Sequence, residues 1–205
     1  MKKAHKHMPY SLTEDPARDV PGHAISTALA IFVYLALECA VLVFPPEAIQ
    51  SVLFNLGAMF AFFTMSLGYL NLFKLQTPVA ARTHFLLNTI GILWHLAKIP
   101  KLLLVDADVH AYWQGLYTAE SCMAVALIPL AWCIWHSPIV PRILALGFMA
   151  FSASWLLLVL VWQFSPQTTY LDWPINLFGG LVQGALAVYL VRWSMRQQPR
   201  PTGLT

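Results

Sequence analysis

Six stretches of this chain are apolar and long enough to cross a lipid bilayer, and that feature leaves few folds open. They are residues 22–44, 48–73, 81–103, 111–135, 143–164 and 174–192. A helix needs about 20 apolar residues to cross ~30 Å of hydrocarbon. In that solvent only helices and closed barrels satisfy their own backbone polar groups, and runs of this length read as helices. Turn signals separate them: Phe44-Pro45-Pro46, Gln76-Thr77-Pro78, Asp106-Ala107-Asp108, Ser137-Pro138 through Pro141, and Ser165-Pro166-Gln167. Pro100 is placed to end the third run early. Composition agrees, with 59% hydrophobic and 10% charged residues in 205. A soluble domain this short has too little interior to hide so much apolar surface. The expected fold is all-α, a polytopic membrane bundle of about six transmembrane helices with both termini cytoplasmic. It divides into a polar tail (1–21), a membrane domain (22–194) and a C-terminal tail (195–205).

Charge placement sets the orientation through the positive-inside rule. Lys2, Lys3, Lys6 and Arg18 precede the first span, Lys74 and Arg82 flank the second connection, Arg142 follows the fourth, and Arg192, Arg196 and Arg200 end the chain. The first and fifth connections carry no Lys or Arg, and only Lys98 and Lys101 fall toward the other side. This pattern favours an even number of spans independently of hydropathy, and the expected location is a bacterial inner membrane. A polar tail precedes the first apolar run and no small-residue cleavage site follows a short core, so the first span is expected to be an uncleaved anchor. His5 and His7 read as part of a solvated basic tail. No basic face interleaved with aromatics supports nucleic-acid binding. Cys39, Cys122 and Cys133 all fall inside spans without CxxC spacing, so they read as packing residues rather than a disulfide framework or a zinc site.

An internal repeat would point to a transporter. Leu37-Glu38-Cys39-Ala40-Val41 faintly echoes Ala119-Glu120-Ser121-Cys122. An inverted repeat would place the two glutamates at mirrored depths; counting places them at similar depths, and the repeat is rejected.

Ionisable groups inside a membrane are expensive, roughly 2.5–3.5 kcal/mol each at mid-span or more, and they seldom face lipid. The third span has the clearest pattern. His84, Asn88, Gly91, His95 and Lys98 follow at steps of 4, 3, 4 and 3, which places all five on one helical face. Span one offers Ser26, Ala30, Tyr34 and Glu38; span four Trp113, Tyr117, Glu120 and Ala124. Span six begins with Asp172 and Trp173, then Asn176, Gly180, Gln183 and Gly184. Span five adds Ser152, Ser154, Trp155 and Gln163. With the N-terminus inside, Glu38, His95, Lys98, Glu120, Gln163 and Asn176 all fall in the outer half of the bilayer. One polar cavity near that side is expected, walled by Trp94, Trp113, Trp155 and Trp173. Glu120, His95, Glu38 and Lys98 are its candidate catalytic residues. Asn176, Trp94, Trp155, Tyr34, Tyr117 and Gln183 are its candidate substrate contacts. An ion-pair network of Glu38 and Glu120 with Lys98 and His95 is the competing structural explanation.

The run Glu120-Ser121-Cys122-Met123-Ala124-Val125-Ala126-Leu127-Ile128-Pro129-Leu130 resembles the emopamil-binding (EXPERA) family, in which an intramembrane Glu precedes Pro-Leu by nine residues. Asn176 and Gly184 are similar to the polar last helix of that family, and Gly91 to Leu96 to its histidine helix. The resemblance implies a sterol or isoprenoid double-bond isomerase, or a binder of amphiphilic amines. Glu120 would then act as acid/base, His95 as its partner and Asn176 as an orienting group, with Trp faces stabilising a carbocation. Lys98 and Ile99 stand where the family carries a second Glu, the connection between the His and Glu helices is shorter here, and the family has fewer spans.

The favoured reading is proton transfer on a lipophilic sterol or isoprenoid, by general acid/base groups and without a cofactor. The first alternative is a small proton-coupled transporter or channel. The second is an accessory subunit of a membrane complex, or a haem b protein with His84 and His136 as axial ligands. Expected partners are membrane lipids and a lipophilic small molecule, within a homo-oligomer or a larger complex. Asp172, Asn176 and Gly179 echo a VanZ-like pattern but lack its preceding Arg and Glu. No protease, P-loop or dinucleotide motif occurs.

Overall fold

The computed structural model describes residues 20–44, 49–102, 109–164 and 171–197, without the side chains of residues 101–102, 109–113 and 163. The tail with His5 and His7, the side chains of His110, Trp113 and Gln163, and the Asp106-Ala107-Asp108 turn lie outside the described residues. The helices are α1 (Val20–Val41), α2 (Ile49–Phe73), α3 (Pro78–Leu96), α4 (Val109–His136), α5 (Arg142–Phe164) and α6 (Asp172–Gln197). Among the described residues there is no strand. The protein is a helical membrane bundle: α1, α2, α4, α5 and α6 are each long and apolar enough to cross a bilayer.

Helix α3 has 19 residues, about 28 Å at 1.5 Å per residue. It is the least apolar by that criterion because one face carries His84, Asn88 and His95, all buried. Its opposite face presents Val79, Leu86, Ile90 and Leu93, all exposed. The bundle is thus apolar outside and polar along an inner seam, as lipid solvent requires.

Boundaries differ from the expected spans where local chemistry intervenes. Helix α3 spans 78–96 rather than 81–103. Pro78 occupies its first turn, where a missing N–H costs nothing and the fixed φ fits. It ends at Leu96, and a single 3-10 turn, Ile99–Leu102, follows, because the residue before Pro100 resists the α conformation. Helix α6 runs from Asp172 to Gln197 rather than 174–192, with Asp172 in its first turn, where the helix dipole favours an acid. Residues 195–197, assigned to the tail from sequence, continue the helix.

Each helix packs against its neighbours in sequence, and α6 returns against α1, so the six form a closed ring. The Ser194 hydroxyl donates to the Pro21 carbonyl at 3.0 Å, which brings the start of α1 and the end of α6 to one end of the ring. Lys74, Arg82, Arg142, Arg192 and Arg196 are exposed at that end.

Two contacts fix α4 against its neighbours. Pro129 has no N–H, so the Val125 carbonyl loses its helical donor. The carbonyls on either side receive cross-helix bonds: His84 Nδ1–H donates to Ala126 O at 2.7 Å, and Ser152 Oγ–H to Ala124 O at 2.7 Å. Two turns further along α3 from His84, that helix approaches α4 at Gly91. A Cβ there would lie 2.6 Å from Met123 Cγ and 2.9 Å from the Ala119 carbonyl oxygen.

Candidate functional site

The inside of the ring holds a cavity of ≈410 Å³ at the end opposite the arginines, reaching the middle of the bundle. Every helix contributes. Tyr34 and Glu38 come from α1, Ser51, Asn55, Met59 and Phe62 from α2, and His95 from the last turn of α3. Helix α4 supplies Tyr117, Glu120, Met123, Ala124 and Leu127, α5 supplies Phe151 and Trp155, and α6 supplies Asp172, Trp173, Asn176 and Gln183. Leu42, Phe44, Trp173 and Asn176 are exposed while lining it, so the mouth lies between the end of α1 and the start of α6.

Helical spacing explains the convergence. Tyr34 and Glu38 are one turn apart, as are Ser51 and Asn55. Tyr117, Glu120 and Ala124 follow at 3 and 4, and Asp172, Asn176 and Gln183 at 4 and 7. Each helix therefore aims one stripe at the ring axis.

Among the described residues the chain has three carboxyl side chains, Glu38, Glu120 and Asp172, and all three line this cavity. Glu120 lies within electrostatic reach of both others. Among the described residues no Lys or Arg lines the cavity. The Tyr117 hydroxyl donates to Asp172 Oδ2 at 2.5 Å, which ties α4 to α6. Glu120 Oε2, Asp172 Oδ1 and Gln183 Oε1 are buried without a hydrogen-bond partner. An unpaired buried acceptor is costly, so three together mark a place where a donor or a positive charge is wanted.

His95 is similarly poised. Its Nε2–H donates to Asn55 Oδ1 at 2.8 Å, which leaves Nδ1 as the lone-pair nitrogen. Nδ1 is buried and without a partner. Aromatic rings wall the space: Tyr34 packs on Phe62 at 4.9 Å between centroids, and Tyr117 on Trp155 at 6.3 Å and on Trp162 at 4.7 Å. Their faces suit a cation.

The structure gathers Glu120, His95, Glu38, Tyr34, Tyr117, Trp155, Asn176 and Gln183, all expected from sequence. It does not gather Lys98 or Trp94. Lys98 lies beyond the end of α3, where the 3.6-residue period no longer holds. Its stem crosses Gly115 of α4, whose Cβ position would lie 2.6 Å from Lys98 Cγ, and its ammonium sits 5.2 Å from the Trp94 ring. Trp94 itself is 46% exposed on the outer face of α3. The competing explanation, an ion-pair network of Glu38 and Glu120 with Lys98 and His95, is not the arrangement seen among the described residues: the carboxyl groups share a cavity with one another and with Tyr117, and Lys98 does not line it. Asn55, Ser51 and Asp172 were not assigned to the site from sequence. The four-residue step from Ser51 to Asn55 was the available signal on α2, and Asp172 read as a helix-start residue.

The two histidines considered for haem are engaged with protein. His84 is enclosed, with Nδ1 on Ala126 O, Nε2 accepting from Asn88 Nδ2 at 3.4 Å, and Tyr69 packed at 5.6 Å. Asn88 Nδ2 also donates to Ser66 Oγ at 2.7 Å. His136 is exposed, bonds Trp132 O at 2.9 Å and packs on the Trp132 ring. Among the described residues no cluster of three His, Cys, Asp or Glu is arranged to hold a metal ion.

No family model, curated protein or solved structure matches this chain.

Proposed function

We propose that this membrane protein takes a lipophilic molecule that carries or develops positive charge into its inner cavity and moves a proton on it. The observation that supports this reading is the gathering of Glu38, Glu120 and Asp172 in one aromatic-walled space whose lining, among the described residues, has no Lys or Arg. A developing cation gains from carboxylates and ring faces placed in advance.

For an alkene of the sterol or isoprenoid class the step is an isomerisation. The Glu120 carboxyl gives its proton to one alkene carbon, and positive charge forms on the neighbouring carbon. His95 Nδ1 then removes a proton from a carbon on the other side, and the double bond re-forms one position along. Proton gain and loss balance, and no redox partner is needed. Asn55, by holding the His95 tautomer, is a positioning residue. The resemblance to the emopamil-binding family suggests the same chemistry and assigns the same role to Glu120.

Solvent isotope incorporation tests this. Purified protein in heavy water, given sterol or isoprenoid alkenes, is expected to return isomer carrying solvent deuterium at the protonated carbon. Glu120→Gln should abolish incorporation while the helical signal is unchanged. Persistent incorporation in Glu120→Gln would remove Glu120 from the role. Proton-driven uptake of an amine into vesicles, with no isotope incorporation into any alkene, would replace the enzyme by a carrier.

A further inference from the structure

The inner cavity has a floor, and one side chain of that floor rests on a glycine. Helices α1, α3 and α5 run toward the mouth, and α2, α4 and α6 run away from it. The deepest lining residues are therefore Tyr34 on α1, Phe62 on α2, Leu127 on α4, Phe151 on α5 and Gln183 on α6. Glu38, Glu120 and Asp172 each lie a turn or more nearer the mouth on their own helices. The cavity is thus acidic above and mostly apolar at its floor.

The Phe151 ring reaches across from α5 and abuts Gly179 of α6. A Cβ at Gly179 would lie no more than 2.5 Å from Cζ, Cε1 and Cε2 of that ring. Carbon atoms rest at about 3.5–4.0 Å from one another, so any side chain at that position makes the ring retreat by at least about 1 Å. Gly179 has no positive φ, and a glycine inside a helix weakens it relative to alanine. Close approach of the ring, rather than backbone freedom, is what a glycine supplies here. Both residues are buried, and a packed interior has little room to yield. The space beside the ring is the cavity it lines, so a ring that retreats shortens the cavity.

We infer that Gly179 sets the depth of the cavity by seating Phe151, and thereby sets the length of ligand that fits below the carboxyl groups. Gly179 does not itself line the cavity; it is a positioning residue that acts through the ring. The ligand class is an elongated amphiphile, held with its apolar end on the floor and its cationic or reacting part toward the mouth. This inference rests on the ligand reading given above.

The test uses the full chain in phosphatidylcholine nanodiscs and two probe series: alkyl trimethylammonium ions from hexyl to tetradecyl, and the matching primary alcohols. Binding is followed by the change in tryptophan fluorescence. The ratio of variant to wild-type affinity is taken at each chain length, so that partition into lipid cancels. Gly179→Ala is expected to bind short members as wild type does and to lose about fivefold, ~1 kcal/mol, on the longest members that wild type accepts. Gly179→Ala with Phe151→Leu should regain the wild-type length profile, and Phe151→Leu alone should extend acceptance to longer chains. Gly147→Ala places a Cβ 3.1 Å from Val182 Cγ1 at the same meeting of α5 and α6, away from the ring, and should leave the profile unchanged. A loss equal at every length, the same profile in Gly147→Ala, or better binding of long chains by Gly179→Ala would overturn the inference. Should Gly179→Ala not fold, Phe151→Leu alone decides, and an unchanged length profile there overturns it. Comparing ammonium with alcohol reads the charge preference separately: a length shift seen alike in both series supports the floor even where that preference fails. A wild type that binds no member of either series overturns the floor together with the reading it rests on.

Discussion

Substituting Gly91 by alanine is the sharpest test of how α3 and α4 meet, because the contact involves backbone. The added Cβ would lie 2.6 Å from Met123 Cγ, 2.9 Å from Ala119 O and 3.4 Å from Met123 N. Met123 is flexible and could turn aside, but the Ala119 carbonyl belongs to a helix and cannot. Separation of the two helices by a few tenths of an ångström loses packing along their interface, including the His84 bond to Ala126. Overpacking of this kind costs about 1–3 kcal/mol, and the better helix propensity of alanine returns up to ~1 kcal/mol. A net loss of about 1–2 kcal/mol is expected. The matched control is Gly180→Ala, where the nearest atom is Leu35 Cδ2 at 3.6 Å, an ordinary contact. That variant should be neutral or slightly stabilised. Denaturation of both in mild detergent with increasing dodecyl sulfate, followed by circular dichroism, gives the comparison. A Gly91→Ala protein at least as stable as Gly180→Ala would refute the close approach of α3 and α4.

Other expectations follow from single bonds. Tyr117→Phe removes the hydroxyl that donates to Asp172; a stability loss of about 1.5–3 kcal/mol is expected for a bond to a charged group, read by the same denaturation, and no loss would show that α4 and α6 are not tied there. Asn88→Leu removes the donor to Ser66 and His84; polar contacts between membrane helices average about 0.6 kcal/mol and reach ~1–2, so a loss in that range is expected, whereas a gain would make the seam dispensable. Asn55→Leu removes the acceptor for His95 Nε2–H and should cost about 0.6–2 kcal/mol for the same reason, while slowing any His95-dependent proton removal, measured as a fall in turnover with substrate affinity retained; a change in affinity alone would assign Asn55 to binding.

Much of this arrangement was legible in the chain, for a physical reason. In lipid the backbone must be helical, so residue spacing maps directly onto helix faces, and Glu38, His95 and Glu120 fell at one depth by counting alone. The same reasoning placed Tyr34, Tyr117, Asn176 and Gln183. It failed at Lys98 because periodicity was extended past the end of α3, where Pro100 interrupts it. It failed at Trp94 because an aromatic near an interface serves lipid as well as a cavity. Asn55 carried only the weak signal of its four-residue step from Ser51, and its role shows once its partner, His95, is brought opposite. Asp172 read as a helix-start acid, and its bond to Tyr117 spans 55 residues, a separation no local pattern encodes.

The central claim is that three carboxyl groups share one cavity built for positive charge, and one measurement addresses it directly. Purified protein is titrated with a pair of lipophilic probes of the same shape, one bearing a tertiary ammonium and the other a neutral carbon at the same position. Binding is followed by quenching of tryptophan fluorescence in wild type and in Glu120→Gln. Wild type is expected to favour the ammonium by at least about tenfold, which is ~1.4 kcal/mol, and Glu120→Gln to lose most of that preference while still binding the neutral probe. Equal binding of the two probes by wild type would contradict the claim.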